Sequence, residues 1–305
     1  MSTATLTLLA LGVVNVVVAL LLAPLYEGIM RKLRAALHSR KGPPITQPYW
    51  DLAKLLGKED LRSARGALYT LTPALTLGAV LTLALFVPMG ARPPLGMAGD
   101  IIVVIYVTAM SAVLLMLTAF AGGGPYASVG GSREMMMLLT VEPVMAVALL
   151  VGAVKARTLA VSGIVSWQAA HGPTLSTVIA GVAFFLALQA QAGKLPFDVP
   201  EADQEIMGGP LIEQSGPRLA LFRWALWSKQ LVLTVLLVEL FVPWPRLGIF
   251  PADLALTLLK ALVVLLLVAL VEVVNPRLRI DQAMGYYMRV AFSSLAALAF
   301  AVIGM

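Results

Sequence analysis

Apolar residues along this chain fall in long unbroken runs, not in the alternation of a half-buried strand or the stripe of a surface helix. A bilayer's hydrocarbon core, about 30 Å thick, is crossed by about twenty such residues in a helix. Eight runs reach that length: residues 4–25, 67–87, 101–121, 134–154, 173–192, 225–242, 252–274 and 286–304. The expected fold is all-α, a polytopic integral membrane protein of about eight transmembrane helices. It is read as a single domain over 1–305, with two long loops at about 26–66 and 193–224. The first run is too long for a signal-peptide core and lacks a basic start, so a retained helix is expected. Neither an internal repeat nor a low-complexity tail interrupts the pattern.

Charge orients this arrangement. Sorting the 22 Lys and Arg by loop places 17 on one side, four on the other and Lys260 inside a span. The rule that basic loops stay inside makes the heavy side cytoplasmic and puts both termini outside, in a cell's inner membrane. A formal charge of +6 in a chain that is 60% hydrophobic and 12% charged is thereby explained by topology, with no nucleic acid as partner. Cysteine is absent, which removes thiolate ligands for zinc or iron–sulfur clusters. His38 and His171 lie far apart in loop-like sequence, so no metal or cofactor is expected in this chain and any redox centre belongs to a partner.

The first long loop contains "HSRKGPPITQPYWDLAKLLGKED". Tyr49, Leu52, Leu55 and Leu56 recur at helical spacing while Asp51, Lys54 and Lys58 fall elsewhere, which predicts a short helix lying in the interface with Tyr49 and Trp50 at headgroup depth. Two readings fit it, a membrane-surface anchor and a docking surface for a partner.

Ionisable groups inside spans are costly, about 2.5–3.5 kcal/mol each on insertion scales, and each needs a reason. Glu142 lies eight residues into the fourth span, about 12 Å beyond Glu134 at the rise of an α-helix. Pro143 follows it and removes the donor for the Leu139 carbonyl, leaving a polar spot suited to a proton-carrying carboxyl group. A structural partnership with a neighbouring helix is the alternative. Lys260 and Glu239 fall at similar depth in adjacent spans and are expected to form an ion pair. Glu272, near the cytoplasmic end of the seventh span, either snorkels or lines the same entrance as Glu134.

Five of the sixteen acidic residues crowd into "GKLPFDVPEADQEIMGGPLIEQSG". Part of this reads as helix-start chemistry: Asp198 as cap, Pro200 in the first turn, Glu201 as capping-box partner, Asp203 and Glu205 near the positive end of the dipole. Glu213 is unexplained by capping, as is the placement of Glu201 and Glu205 four residues apart on one helix face.

At these residues the chain resembles a known family. "KLPFDVPEADQEIMGGPLIEQSGPRLALF" is similar to the long cytoplasmic loop of the membrane subunit shared by respiratory complex I (its subunit 1) and the energy-converting membrane-bound [NiFe] hydrogenases and formate hydrogenlyases. "RKGPPITQPYWDLAKLL", "GGSREMMMLLTVEP" and "NPRLRIDQAMGYYM" extend the likeness over nearly the whole chain. The compact first-loop motif and "SREMM" resemble the hydrogenase branch, while Gln214 departs from the Glu-Tyr-Ser-Gly common in the family. The resemblance implies a subunit without catalytic residues, seated under a hydrophilic hydrogenase-like large subunit and an iron–sulfur small subunit, which carry the [NiFe] centre and the clusters, and beside antiporter-like membrane subunits in the lipid bilayer. It further implies an acidic relay: Glu201, Asp203, Glu205 and Glu213 at the mouth, Glu134 and Glu142 along the fourth span, and Glu272. Arg133 would tune a carboxylate, Asp198 would set the loop's geometry, and Lys260 with Glu239 would tune charge. Arg40, Gly42, Pro43, Gln47 and Asp51 would dock a partner. The expected function is coupling electron transfer to H⁺ or Na⁺ translocation. The alternatives are the same subunit in a quinone-reducing complex I, a secondary transporter and a passive membrane anchor.

Overall fold

A computed structural model describes residues 3–64, 66–96 and 99–304. The described chain is helical and without strands: α1 (Thr3–Leu37), α2 (Gln47–Leu56), α3 (Ala67–Phe86), α4 (Ile101–Gly122), α5 (Pro125–Ala156), α6 (Val161–His171), α7 (Leu175–Gln191), α8 (Asp203–Ile206), α9 (Gly216–Phe241), α10 (Phe250–Val274) and α11 (Ile280–Ile303), with a 3-10 turn at Gly209–Leu211. Seven of these are long and apolar enough to cross a membrane. The eighth expected span, α7, has 17 residues, the lower limit for crossing.

Several helices outrun their apolar sequence. α1 continues to Leu37 through "YEGIMRKLRAAL", and α9 begins at Gly216. The loops are therefore shorter than expected, because a helix that closes its own backbone hydrogen bonds continues past the hydrocarbon as long as its polar side chains find partners. His171 ends α6 instead of lying in a loop, its ring stacked on Trp167 at 4.5 Å.

α9 forms the centre, and 89% of its most apolar window is buried against 22% for α1. α1, α3, α7 and α10 pack around it, while α4, α5 and α11 complete the bundle. Two polar side chains of α9 bond to backbone carbonyls of α1: Trp224 Nε1 donates to Leu20 at 2.8 Å and Ser228 Oγ to Ala19 at 3.1 Å. Farther toward the start of α1, the Asn15 amide donates to the Ala84 and Val87 carbonyls, both at 3.0 Å, pinning the end of α3.

The amphipathic helix forms as expected, with Leu52 buried and Trp50 68% exposed. The segment leading to it crosses α1 at Gly28, where any Cβ would sit 1.9 Å from the Ile45 carbonyl oxygen.

The acidic segment does not begin a helix at "DVPE". Asp198 carries an Arg277 guanidinium at 2.5 Å, α8 starts only after Ala202 and spans one turn, and Glu201 lies outside it, so Glu201 and Glu205 share no helix face. A charge-assisted bond to Arg277 outweighs the cap, which offers a single neutral donor. The Leu278 amide donates to the Pro196 carbonyl at 3.0 Å, and Phe197 packs on Tyr286 and Tyr287, so this segment is fastened to the start of α11.

Gly209 rests on Gly130 of α5, where an added Cβ would lie 2.7 Å from both the Gly209 Cα and the Pro210 Cδ. Gly130→Ala is expected to cost about 1–3 kcal/mol through overpacking and to speed proteolysis between Asp203 and Ser215. Gly285→Ala, facing open space, serves as the unchanged control in the same thermal-unfolding assay.

Candidate functional site

Charged groups concentrate where α1, α3, α5 and α9 meet the acidic segment, in three neighbourhoods. The first centres on Glu27, 4% exposed, on the part of α1 beyond its apolar run. It binds Arg31 at 3.0 Å, Arg34 at 3.1 Å and Lys194 at 2.9 Å. Arg31 reaches on to Asp51 of α2 at 3.0 Å, and Arg34 to Glu272 of α10 at 2.6 Å. Three acids and three bases thus tie α1, α2, α10 and the end of α7 together. Glu272 is accordingly buried and paired and does not snorkel. Gln47 donates to Asp51 at 3.0 Å, so these two candidate docking residues face α1. Gly42 packs on Ala35, while Arg40 and Pro43 are exposed.

The second neighbourhood joins the acidic segment to α5. Glu201 is half-buried, and desolvation together with the charges of Asp198 and Glu134 pushes its carboxyl up to about 7. Desolvation also raises Asp198, against the pull of Arg277. Glu205 runs the other way: exposed, and held at 2.7 Å by Arg133, its carboxyl lies below the usual range. Arg133 also donates to the Val199 carbonyl at 3.3 Å, and Asp203 is exposed. Inward from Glu201, a cleft between α4, α5 and α7 is lined by Glu134 and Gln191. Gln191 Nε2 donates to Glu142 Oε1 at 2.8 Å, leaving Glu142 Oε2 buried without a hydrogen-bond partner. Lys229 of α9, 4% exposed, lies within electrostatic reach of both Glu134 and Glu142. Leu139 and Pro143 are exposed on the outside of α5, while Glu142 meets α7.

Glu213 belongs to a third neighbourhood. Its carboxylate sits over Gly122 and Gly124, so close that a Cβ at Gly124 would fall 1.8 Å from Oε1. Ser63 Oγ donates to Oε2 at 3.0 Å, and Tyr69 Oη donates to the Glu213 carbonyl at 2.6 Å. Arg218 lies over the Tyr69 ring at 5.2 Å and meets Asp60 at 3.1 Å. The structure therefore couples Asp198, Glu201, Glu134 and Glu142 electrostatically in succession and places Glu213 and Glu272 in separate clusters.

The expected ion pair of Lys260 and Glu239 does not form. Glu239 is taken by Arg246 at 2.7 Å and by Thr257 Oγ1 at 2.6 Å, while Lys260 Nζ donates to the Val242 and Trp244 carbonyls at 3.0 and 3.4 Å. Arg246, on the loop between the two helices, reaches Glu239 first, and the unpaired carbonyls ending α9 satisfy the ammonium.

Sequence reasoning passed over Glu27 and Lys229. Glu27 was legible through its spacing of four to Arg31. Lys229 lay inside an expected span, yet it was counted among the loop charges. Among the described residues, no three His, Cys, Asp or Glu side chains are grouped to hold a metal ion.

A profile of the NADH dehydrogenase family matches residues 9–303. The chain belongs to that family. Within it, the chain is 37% identical over 273 residues to hydrogenase-4 component C of Escherichia coli (strain K12), covering 87% of each chain. It is 35% identical over 279 residues to formate hydrogenlyase subunit 4 of the same organism, covering 88% of this chain and 90% of that one. Both support the hydrogenase branch of the NADH dehydrogenase family. A chain in the membrane-bound sulfane sulfur reductase, an archaeal respiratory membrane complex, superposes with a TM-score of 0.89 at 29% identity, covering 97% of this chain and 99% of that one.

Proposed function

We propose that this NADH dehydrogenase family member is the membrane-arm coupling and anchoring subunit of a group 4 [NiFe]-hydrogenase-like complex, linking electron transfer in a docked hydrophilic module to H⁺ or Na⁺ translocation. The observation carrying this reading is the succession from half-buried Glu201 through Glu134 to Glu142, with Lys229 as its internal cation. A carboxyl group whose ionisation is balanced near neutrality at the outer end of such a succession can take up or release a proton as charge changes beside it. In this reading the partners are a large subunit holding a [NiFe] centre, a small subunit with iron–sulfur clusters, and antiporter-like membrane subunits, and the likeness to two hydrogenase components supports it. Having no cysteine, this chain leaves those clusters to its partners. The excess of Lys and Arg in the loops on its side supports a cytoplasmic position for the acidic segment, with both termini outside.

The Glu201 succession separates this reading from a passive anchor. Glu142→Gln and Glu134→Gln are expected to leave the complex assembled with its metals and hydrogen evolution, while ion translocation into sealed vesicles falls. Unchanged translocation in both variants would leave the chain as an anchor. A complex that reduces quinone and contains no nickel would move it to the complex I branch.

A further inference from the structure

The opposite end of the bundle holds a site that the relay does not use, and the inference drawn from it is independent of the coupling reading. A cavity of about 900 Å³ opens there between the start of α1, the 88–96 loop, α6 and the start of α10. Arg92, Arg246 and Lys260 line it. Arg92 is exposed and forms no ion pair with any described residue, and Arg246 stays 41% exposed while giving one nitrogen to Glu239. Both lining acids are already engaged: Glu239 by Arg246 and Thr257, and Asp253 by the Leu247 and Gly248 amides at 2.7 and 3.0 Å. The remaining field is positive and suits an anion.

An apolar groove of about 670 Å³ adjoins this cavity, the two sharing Leu8 and the 93–96 turn. Leu9, Val13 and Val17 form one wall, 57, 63 and 44% exposed, and Leu85, Pro94 and Leu95 the other. Gly12 keeps the floor low, since a Cβ there would already touch Leu85 at 3.4 Å. From Leu9 to Val17 the groove runs about 12 Å along the helix axis, away from the cations and toward the middle of the bilayer.

We propose that cavity and groove together hold one anionic phospholipid, its phosphate among Arg92, Arg246 and Lys260 and an acyl chain beside α1. The charge selects the headgroup, and the groove excludes a free phosphate as the preferred occupant. Neither element alone gives this specificity: the groove would take any lipid, and the cavity any anion.

Native mass spectrometry of the full-length chain, delipidated in detergent and titrated with phosphatidylglycerol or phosphatidylcholine of matched acyl chains, tests the site. One phosphatidylglycerol is expected to bind in preference to phosphatidylcholine, undisplaced by inorganic phosphate. Removing a cation near a membrane surface weakens such binding about fivefold, so Arg92→Gln should lower phosphatidylglycerol retention by about that factor and phosphatidylcholine retention by less, since its choline offsets the phosphate charge. Gly12→Leu, filling the groove, should lower both. Unfolding profiles of the lipid-free variants establish that they are folded, and Arg92, being exposed and unpaired, keeps the test open if Gly12→Leu is not. Equal retention of the two lipids, wild-type retention in Arg92→Gln, displacement by phosphate, or a protein helix crosslinked across Leu9 to Val17 would each overturn the proposal.

Discussion

Glu27→Gln is expected to destabilise the chain by about 3 kcal/mol, measured by thermal or denaturant unfolding in detergent. Breaking a buried ion pair costs about 3–5 kcal/mol because the partner charge is left without compensation. Lys194 is that partner: 13% exposed, it has no other ion pair among the described residues once the Glu27 carboxylate is gone. Arg31 and Arg34 keep Asp51 and Glu272, which holds the cost at the lower end of the range. Arg62→Gln, removing an exposed pair with Asp60 in which Arg62 is 52% exposed, should cost under about 1 kcal/mol. If Glu27→Gln behaved like Arg62→Gln, the Glu27 network would be a surface feature that re-pairs freely. The substitution should also loosen α2, which reaches this network through Asp51, and so expose the backbone of residues 38–58 to hydrogen exchange.

Glu27 shows where the sequence was readable and where it was not. Unbroken apolar runs located all eight long helices, because outside a closed β-barrel only a helix satisfies its backbone inside lipid. Helix ends were less legible, since they depend on tertiary partners: "YEGIMRKLRAAL" is helical through to Leu37 with Glu27 meeting Lys194 from a segment 167 residues away. Local rules failed in the same way at Asp198, whose sequence context offers a helix cap and whose fold offers Arg277. Proximity in depth also misled for Lys260 and Glu239, because a two-helix comparison omits the connecting loop that carries Arg246. The succession from Glu201 to Glu142 was only half visible. Its acids stand out as charges in apolar sequence, but Lys229 acquires meaning only when α9 is seen at the centre of the bundle.

Replacing Glu201 by Gln is expected to change the pH dependence of both stability and coupling, with a sign fixed by its environment. In the folded chain the carboxyl is raised from the usual value near 4.5 to about 7, first by desolvation and then by Asp198 and Glu134. A group raised on folding stabilises the fold fully below its unfolded value, and that contribution is lost as pH rises through the folded one. From this group, wild-type stability should therefore fall between about pH 4.5 and pH 7, a fall absent from Glu201→Gln. The two proteins should unfold alike near pH 4, and the variant should be the more stable at pH 8. A wild-type curve parallel to that of the variant across this window would show that Glu201 ionises freely. In the proposed relay the same balance has a functional side: near pH 7 the group is poised to exchange a proton when charge appears above it. Glu201→Gln should then abolish the component of ion translocation that titrates near neutrality, with hydrogen evolution retained. Glu201→Asp, which keeps an ionisable group, should shift that component instead of removing it. Lys229→Met gives the complementary result, since it removes the cation within reach of Glu134 and Glu142 and leaves the Glu201 titration in place while interrupting transfer beyond it. If translocation survived Lys229→Met while Glu201→Gln stopped it, the path from Glu201 would not run through Glu134 and Glu142.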